Sequence, residues 1–243
     1  MTKIGVYDSG IGGLTTIAKL IMNFQHCDFL LYADNSHFPL GLLDEKKLNI
    51  IVEKGIAYLE EKCDFVVLGC NTASCCTASK TVFKLLPPLD DFRPQTTLVL
   101  ATPYTTKKLQ LKERKFVTID TPELASLITK MYTEDVNQAQ ILASIENMLR
   151  IKLLSTRPPE NVLIGCSHYQ FIEDTIKKIC QKTQLFDGNS KLIYELGKVI
   201  PPSSRIGAVD FEFSGENQFD NYASILELLL NAYHKKQGLS PPQ

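Results

Sequence analysis

Short apolar, β-branched runs alternate along the chain with segments whose apolar residues recur every three or four positions. The runs read as buried strands and the periodic segments as amphipathic helices. Lys3 to Tyr7 (KIGVY), Phe29 to Tyr32 (FLLY), Phe65 to Gly69, Thr97 to Ala101 (TLVLA), Lys115 to Ile119 (KFVTI) and Val162 to Gly165 are the clearest strands. After the first, Leu14, Ile17, Ala18, Leu20 and Ile21 share a helical face. Asp44 can cap a helix running to about Lys62, striped by Ile50, Ile51, Lys54, Ile56, Ala57 and Leu59. Thr72 to Leu86 reads as a helix ended by Pro87-Pro88. Thr102-Pro103 can start a short helix. Thr121-Pro122-Glu123 combines a capping hydroxyl, a first-position proline and an acid in the first turn.

Two helices then follow, to about Tyr132 and from Glu134 to Leu154, with a loop from Ser155 to Pro159. After Cys166-Ser167-His168 a helix follows to about Lys182, Gln184 to Asp187 is a short strand, and Asp187-Gly188-Asn189 is a turn. Ser190 to Ile200 is an amphipathic helix, and Asp210 to Phe213 alternates in the manner of a strand. The last helix, Phe219 to Ala232, turns Ile225, Leu228 and Leu229 inward. The polar, proline-rich tail Lys235 to Gln243 is expected to fray. Strands alternating with helices predict an α/β fold with mainly parallel sheets. The segment Leu86 to Thr96 (LPPLDDFRPQT) is the clearest linker, and a second α/β unit starts at Thr97.

Two stretches echo each other. Phe65 to Ala73 reads FVVLGCNTA and Asn161 to Tyr169 reads NVLIGCSHY. Each is a buried strand ending in Gly-Cys and a small polar pair, which puts Cys70 and Cys166 at carboxyl edges, where open α/β sheets bind ligands. Cys70 also opens a helix, and helix N-termini favour thiolate. The first strand runs into Asp8-Ser9-Gly10-Ile11-Gly12-Gly13, a strand–glycine loop–helix unit. Its glycines permit positive φ and close approach of the backbone to a ligand. The spacing is not the dinucleotide fingerprint, and no P-loop lysine follows. A carboxylate guest at the helix N-terminus and a tight turn with no ligand both remain open. Residues 33–41 (ADNSHFPLG) form a polar loop, in which His37 reads as a surface histidine.

Composition narrows the class. The chain has 243 residues, 44% of them hydrophobic and 22% charged, with a net charge of −1. Electrostatics therefore offer no nucleic-acid or membrane surface, and no apolar run is long enough to span a bilayer. The N-terminal residues enter a strand without a signal-peptide core, so a cytoplasmic location is expected. Seven cysteines, odd in number and irregularly spaced, read as reduced thiols. Cys27, Cys63, Cys75, Cys76 and Cys180 read as packing residues.

Two thiols on either side of one amino acid can invert its α-carbon. One thiolate removes the α-proton, and the other thiol returns a proton to the opposite face. An unperturbed thiol, with a pKa of about 8.5, is only a few per cent ionised at neutral pH, so the site must manage its protonation. Asp8 and His168 are the nearby proton-handling candidates. No pyridoxal-phosphate lysine motif or metal-ligand spacing is present, so oriented donors must stabilise the carbanion. A zinc site from Cys70, Cys166 and His168, a Cys/His nucleophile pair, and two packing cysteines are rival readings of the same residues.

DSGIGGL, YADNSHFPLG, GCNTAS, LATPYTTK, GCSHY and FSGENQF occur in that order and cover most of the chain. With them the sequence resembles a glutamate racemase, within the cofactor-independent aspartate/glutamate racemase superfamily. The resemblance implies two similar α/β domains related by a pseudo-two-fold axis, 1–94 with 188–243 and 95–187, and an active site in the cleft between them. It implies Cys70 and Cys166 as the acid/base pair, assisted by Asp8 and His168. It further implies Ser9, Pro39, Leu40, Gly41, Asn71, Thr72 and Ser167 as substrate-binding positions. No cofactor or metal is expected. The implied partner is a small amino-acid substrate, and because such enzymes are often dimeric, a homodimer is an expected assembly. The implied role is D-glutamate supply for peptidoglycan. The chain departs from the family pattern at Leu40, usually tyrosine, at Ser167, usually threonine, and at Gln170, usually proline. Thr129 stands nearest a position that is often glutamate. A racemase of a related amino acid such as aspartate, or an amino-acid-binding protein on this scaffold, are the alternatives.

Overall fold

The computed structural model describes residues 2–154 and 159–238. The first half contains β1 (Lys3–Asp8), α1 (Gly12–Asn23), β2 (Asp28–Ala33), α2 (Glu45–Glu60), β3 (Phe65–Leu68), α3 (Asn71–Cys76) and β4 (Phe83–Lys84). The second half contains β5 (Thr97–Ala101), α4 (Pro103–Lys108), β6 (Val117–Asp120), α5 (Leu124–Thr133), α6 (Gln138–Leu154), β7 (Asn161–Gly165), α7 (Glu173–Ile179) and β8 (Gln184–Phe186). The chain then continues through α8 (Asn189–Gly197), β9 (Val209–Phe213) and α9 (Phe219–Gln237).

The strands form two parallel sheets, ordered β4-β3-β1-β2-β9 and β6-β5-β7-β8. β9 joins the first sheet after the chain has built the second. The expected α/β architecture with mainly parallel sheets is therefore the observed one, and helices cover the sheets as parallel crossovers require.

Register places the chemistry. In the first sheet Tyr7 lies opposite Leu68, and Gly69 N–H donates to the Tyr7 carbonyl, so Asp8 and Cys70 emerge side by side. In the second sheet Ala101 lies opposite Gly165, so Thr102 and Cys166 emerge side by side. One hydrophobic cluster runs through both halves, including Val6, Ile11 and Leu14 from the first and Leu100, Ile164 and Tyr169 from the second. α1 thus packs on the turn that follows Cys166.

Several elements differ from expectation. The helix expected over Thr72 to Leu86 stops at Cys76, and the chain turns extended at Thr77. The Ser74 hydroxyl donates to the Leu68 carbonyl and accepts from Leu85 N–H, while Thr77 bonds Glu53 and its carbonyl takes the Lys84 ammonium. These bonds pull the following residues into β4 beside β3, and tertiary pairing overrides an amphipathic pattern. Thr121 does not cap α5. Its hydroxyl lies 3.0 Å from the buried Tyr169 hydroxyl, which in turn donates to the Thr121 carbonyl.

On α2, capped by Asp44 as expected, Leu48 and Val52 are buried while Ile50 is exposed. α6 starts at Gln138, and a 3₁₀ turn, Ser167–Ile172, precedes α7 in place of one long helix. On α9, Tyr222, Ile225 and Leu226 face inward and Leu228 is exposed. The tail is helical to Gln237, ending on Gly238 with a left-handed φ of 70°. The expected loop at 155–158 and the tail at 239–243 lie outside the described residues. Among the described residues, no helix is long and apolar enough to cross a membrane.

Candidate active site

Cys70 caps the N-terminus of α3, and Cys166 caps the turn Ser167–Ile172. Both are buried, at 7% and 6% exposure. Burial is the main influence on both thiols. It pushes Cys166 up to about 12 and Cys70 well above the ordinary thiol range. A negative Asp8 raises both further, and Cys166 raises Cys70, so the three groups share one electrostatic neighbourhood. The N–H groups of Thr72 and Ala73 pull Cys70 the other way, and those of His168 and Tyr169 do so for Cys166. The thiolate-favouring effect expected from the helix N-terminus is therefore present but outweighed. α3 has only six residues, and its start is desolvated.

The glycine loop makes its use of glycine plain. Gly238 is the one described glycine at positive φ, so Gly10, Gly12 and Gly13 do not serve a left-handed turn. They serve close approach. A methyl group on Gly12 would fall 2.2 Å from Ser167 Oγ and 2.6 Å from His168 Nδ1, and one on Gly10 would fall 2.9 Å from His168 Nε2. The loop face is covered by the turn after Cys166. Its amides go to the chain's own carboxylate: Gly10 N–H donates to Asp8 Oδ1 at 3.0 Å, and Ser9 N–H also favours the Asp8 anion. Ser167 Oγ donates to Asp8 Oδ2 at 2.9 Å, a bond between the two halves of the chain.

Asp8 is fully buried, and burial outweighs these donors and holds its carboxyl up to about 7. A group near 7 can accept or release a proton at neutral pH. The same shift makes a stability prediction. Below about pH 4 the carboxyl is protonated in both folded and unfolded chains. Between about 4 and 7 the unfolded chain ionises first, so stability falls as pH rises, by about 4 kcal/mol in full. Asp8→Asn removes this contribution. Relative to the parent, its melting temperature is expected to gain as pH rises from about 4 to about 7 and to level off above that. A constant difference between the two melting curves would assign the titration elsewhere.

His168 is buried, its Nε2 has no hydrogen-bond partner, and its ring lies 5.2 Å from that of Phe38. Burial pushes it down to about 3, so it is a neutral imidazole. The loop after β2 arrives over the same face. Phe38-Pro39 is a cis peptide. Leu40 is 1% exposed and shares a hydrophobic cluster with Tyr7, Leu68, Cys70 and Ala73, so its side chain belongs to the core beneath Cys70. Gly41 lies against Thr102 and Thr72. Ser9, Asn71, Thr72 and Ser167 are buried. The Asn71 amide donates to the Leu85 carbonyl at 3.0 Å, which fixes the turn into α3. His37 stays at the surface, 2.7 Å from Asp34 Oδ1.

Sequence reasoning missed two residues here. Thr102 Oγ1 lies 3.3 Å from Thr72 Oγ1 while accepting from Thr105 N–H. The signal was its place just beyond β5, the same carboxyl-edge rule that found Cys166. Asp34 is buried and accepts from the Tyr7 hydroxyl at 2.7 Å. The segment Ser214–Glu216 ties this loop down through Asn35, which accepts from Gly215 N–H and donates to the Glu216 carbonyl. YADNSHFPLG and FSGENQF are thus one physical unit.

All seven cysteines are free thiols, and Cys27, Cys63, Cys75, Cys76 and Cys180 are buried or half-buried. Among the described residues no three His, Cys, Asp or Glu side chains are gathered so as to hold a metal ion, Cys70, Cys166 and His168 included. No family model matches the chain. A glutamate racemase of Leptospira interrogans is 28% identical over 252 residues, covering 95% of this chain and 91% of that protein. The crystal structure of glutamate racemase from Campylobacter jejuni superposes with a TM-score of 0.76 at 18% identity, over 95% of this chain and 98% of the other. That of the Francisella tularensis enzyme, in complex with D-glutamate, gives 0.73 at 21% identity, over 95% and 94%. In sequence over most of its length and in fold over nearly all of it, this chain resembles the glutamate racemases.

Proposed function

We propose that the chain interconverts L- and D-glutamate without a cofactor, through Cys70 and Cys166 as opposed acid and base. The observation that carries this reading is two buried thiols at the carboxyl edges of separate sheets, both coupled to one buried carboxyl. The reading takes 1–94 with 188–243 and 95–187 as two domains that hold the substrate between them.

One thiolate removes the α-hydrogen as a proton and becomes a thiol, leaving a carbanion. The opposite thiol gives its proton to the other face and becomes the thiolate. Atoms and charge balance, and the reverse reaction exchanges the roles. A buried thiol resists ionisation, and here a second thiol and Asp8 resist it further. The protonated amino group of the substrate brings a positive charge into this cluster and favours the thiolate. Asp8, near 7, takes up or supplies the proton that sets which thiol is ionised. His168 is neutral and can accept or donate one hydrogen bond. Ser9, Pro39, Leu40, Gly41, Asn71, Thr72 and Ser167 are assigned to the substrate pocket. Leu40 acts there from the core side, and Asn71 acts by fixing its turn. The reading extends to a homodimer in the cytoplasm that supplies D-glutamate for peptidoglycan.

The similar enzyme crystallised with D-glutamate supports the choice of substrate. A panel of single amino-acid enantiomers followed by chiral chromatography tests it. Glutamate is expected to racemise and aspartate to persist. Racemisation of aspartate alone would move the substrate assignment, and inertness toward every amino acid would leave a binding protein.

A further inference from the structure

Gln170 lies within the turn Ser167–Ile172 that follows Cys166, and it is 8% exposed. Its Oε1 accepts from the Lys19 ammonium at 2.7 Å and from the Asn189 amide at 3.3 Å. Lys19 also forms an ion pair with Asp187, whose other oxygen accepts from Asn189 N–H at 2.8 Å. Three segments meet here: α1, the turn after Cys166, and the return crossover from the second sheet to the first. That crossover lies hard against the outgoing one. A methyl group on Gly188 would fall 2.3 Å from the Leu86 carbonyl oxygen.

We propose that Lys19 and Gln170 are positioning residues for the Cys166 thiol. The proposal rests on the two-thiol reading above. α1 holds the Cys166 turn at two points. Near its start, Gly12 seats Ser167 and His168 while Ser167 bonds Asp8. Seven residues later, about 10 Å along the helix, Lys19 holds Gln170. One hydrogen bond leaves a short turn free to swivel, whereas two anchors on a rigid helix fix its rotation. Cys166 immediately precedes that turn, so its sulfur inherits the register. Cys70, at the start of α3, stands at the edge of the other sheet and among the described residues shares no hydrogen bond with Lys19, Gln170, Asp187 or Asn189, so its position is expected to change little.

That asymmetry separates positioning from general stability. Lys19→Met keeps the stem and removes the ammonium, Lys19→Arg restores the charge, and Gln170→Leu removes the acceptor. In deuterium oxide, L- and D-glutamate are supplied separately, and label is read in recovered substrate and in product. For the enantiomer whose proton Cys70 removes, Lys19→Met and Gln170→Leu are expected to raise the ratio of label in substrate to label in product roughly 10-fold, because return from Cys166 is slowed. For the other enantiomer the ratio is expected to fall, because there Cys166 is the thiol that returns hydrogen to the substrate, and Lys19→Arg recovers the parental pattern. A uniform loss of rate with both ratios unchanged would overturn the proposal.

A second readout does not depend on turnover: alkylation by iodoacetamide, followed at each cysteine by peptide mass spectrometry. Lys19→Met is expected to speed alkylation of Cys166 several-fold and leave Cys70 unchanged. Equal changes at both thiols, or none, would overturn the proposal. If the parent protein exchanges no glutamate α-hydrogen, the function reading falls, and alkylation still decides the positioning claim.

Discussion

Cys70→Ser and Cys166→Ser are each expected to lower net racemisation of glutamate by roughly 10³-fold while the protein folds as before. A serine hydroxyl is nearly isosteric with the thiol but far too weak an acid to be the base. The two losses have different characters. In each variant the surviving thiol still removes the α-hydrogen from one enantiomer, and solvent hydrogen returns to the same face. Each variant therefore washes label into one enantiomer only, and the two variants choose opposite ones. Equal one-sided exchange in both variants would contradict the assignment of one thiol to each face. Racemisation at the parental rate in both would remove the thiols from the mechanism.

Gly12→Ala is expected to be the next most damaging change, although the residue is chemically silent. Its added methyl would overlap Ser167 Oγ at 2.2 Å and crowd His168 Nδ1 at 2.6 Å. The turn after Cys166 must back away from α1, breaking the bond from Ser167 to Asp8. The cost in stability is about 1–3 kcal/mol, that of an overpacked core. A displacement of about 1 Å at the thiol lowers turnover roughly 100-fold. Steady-state rates and urea unfolding of the same preparation check both figures. A variant with parental turnover would show that this contact does not set the Cys166 position.

The paired cysteine strands were legible because burial on both faces writes a continuous apolar run, and each run ended in the same Gly-Cys. The register that sets Asp8 beside Cys70, and Thr102 beside Cys166, follows from parallel pairing and could not be read from either strand alone. Other features depend on tertiary partners. Thr72 to Leu86 carries a helical pattern, yet Ser74 and Thr77 bind groups outside the segment and turn it into β4. Thr121 carries a capping signature, yet Tyr169 engages its hydroxyl.

The direction of the thiol shifts was also invisible locally. A helix start favours thiolate, but only the folded structure shows Cys70 and Cys166 desolvated beside Asp8. The glycine loop stands between strand and helix as expected, but what it admits is the chain's own turn, neither a left-handed backbone nor a ligand. Close approach of the Cys166 turn, and amides turned toward Asp8, explain it.

The central claim is that one α-hydrogen passes to solvent through two opposed thiols. Incubation of the unmodified protein with L-glutamate in deuterium oxide, followed by chiral separation and mass spectrometry, tests it most directly. The account predicts that D-glutamate forms carrying one deuteron at the α-carbon, while the remaining L-glutamate gains label more slowly. D-glutamate formed without deuterium, or no α-exchange from either enantiomer, would contradict it.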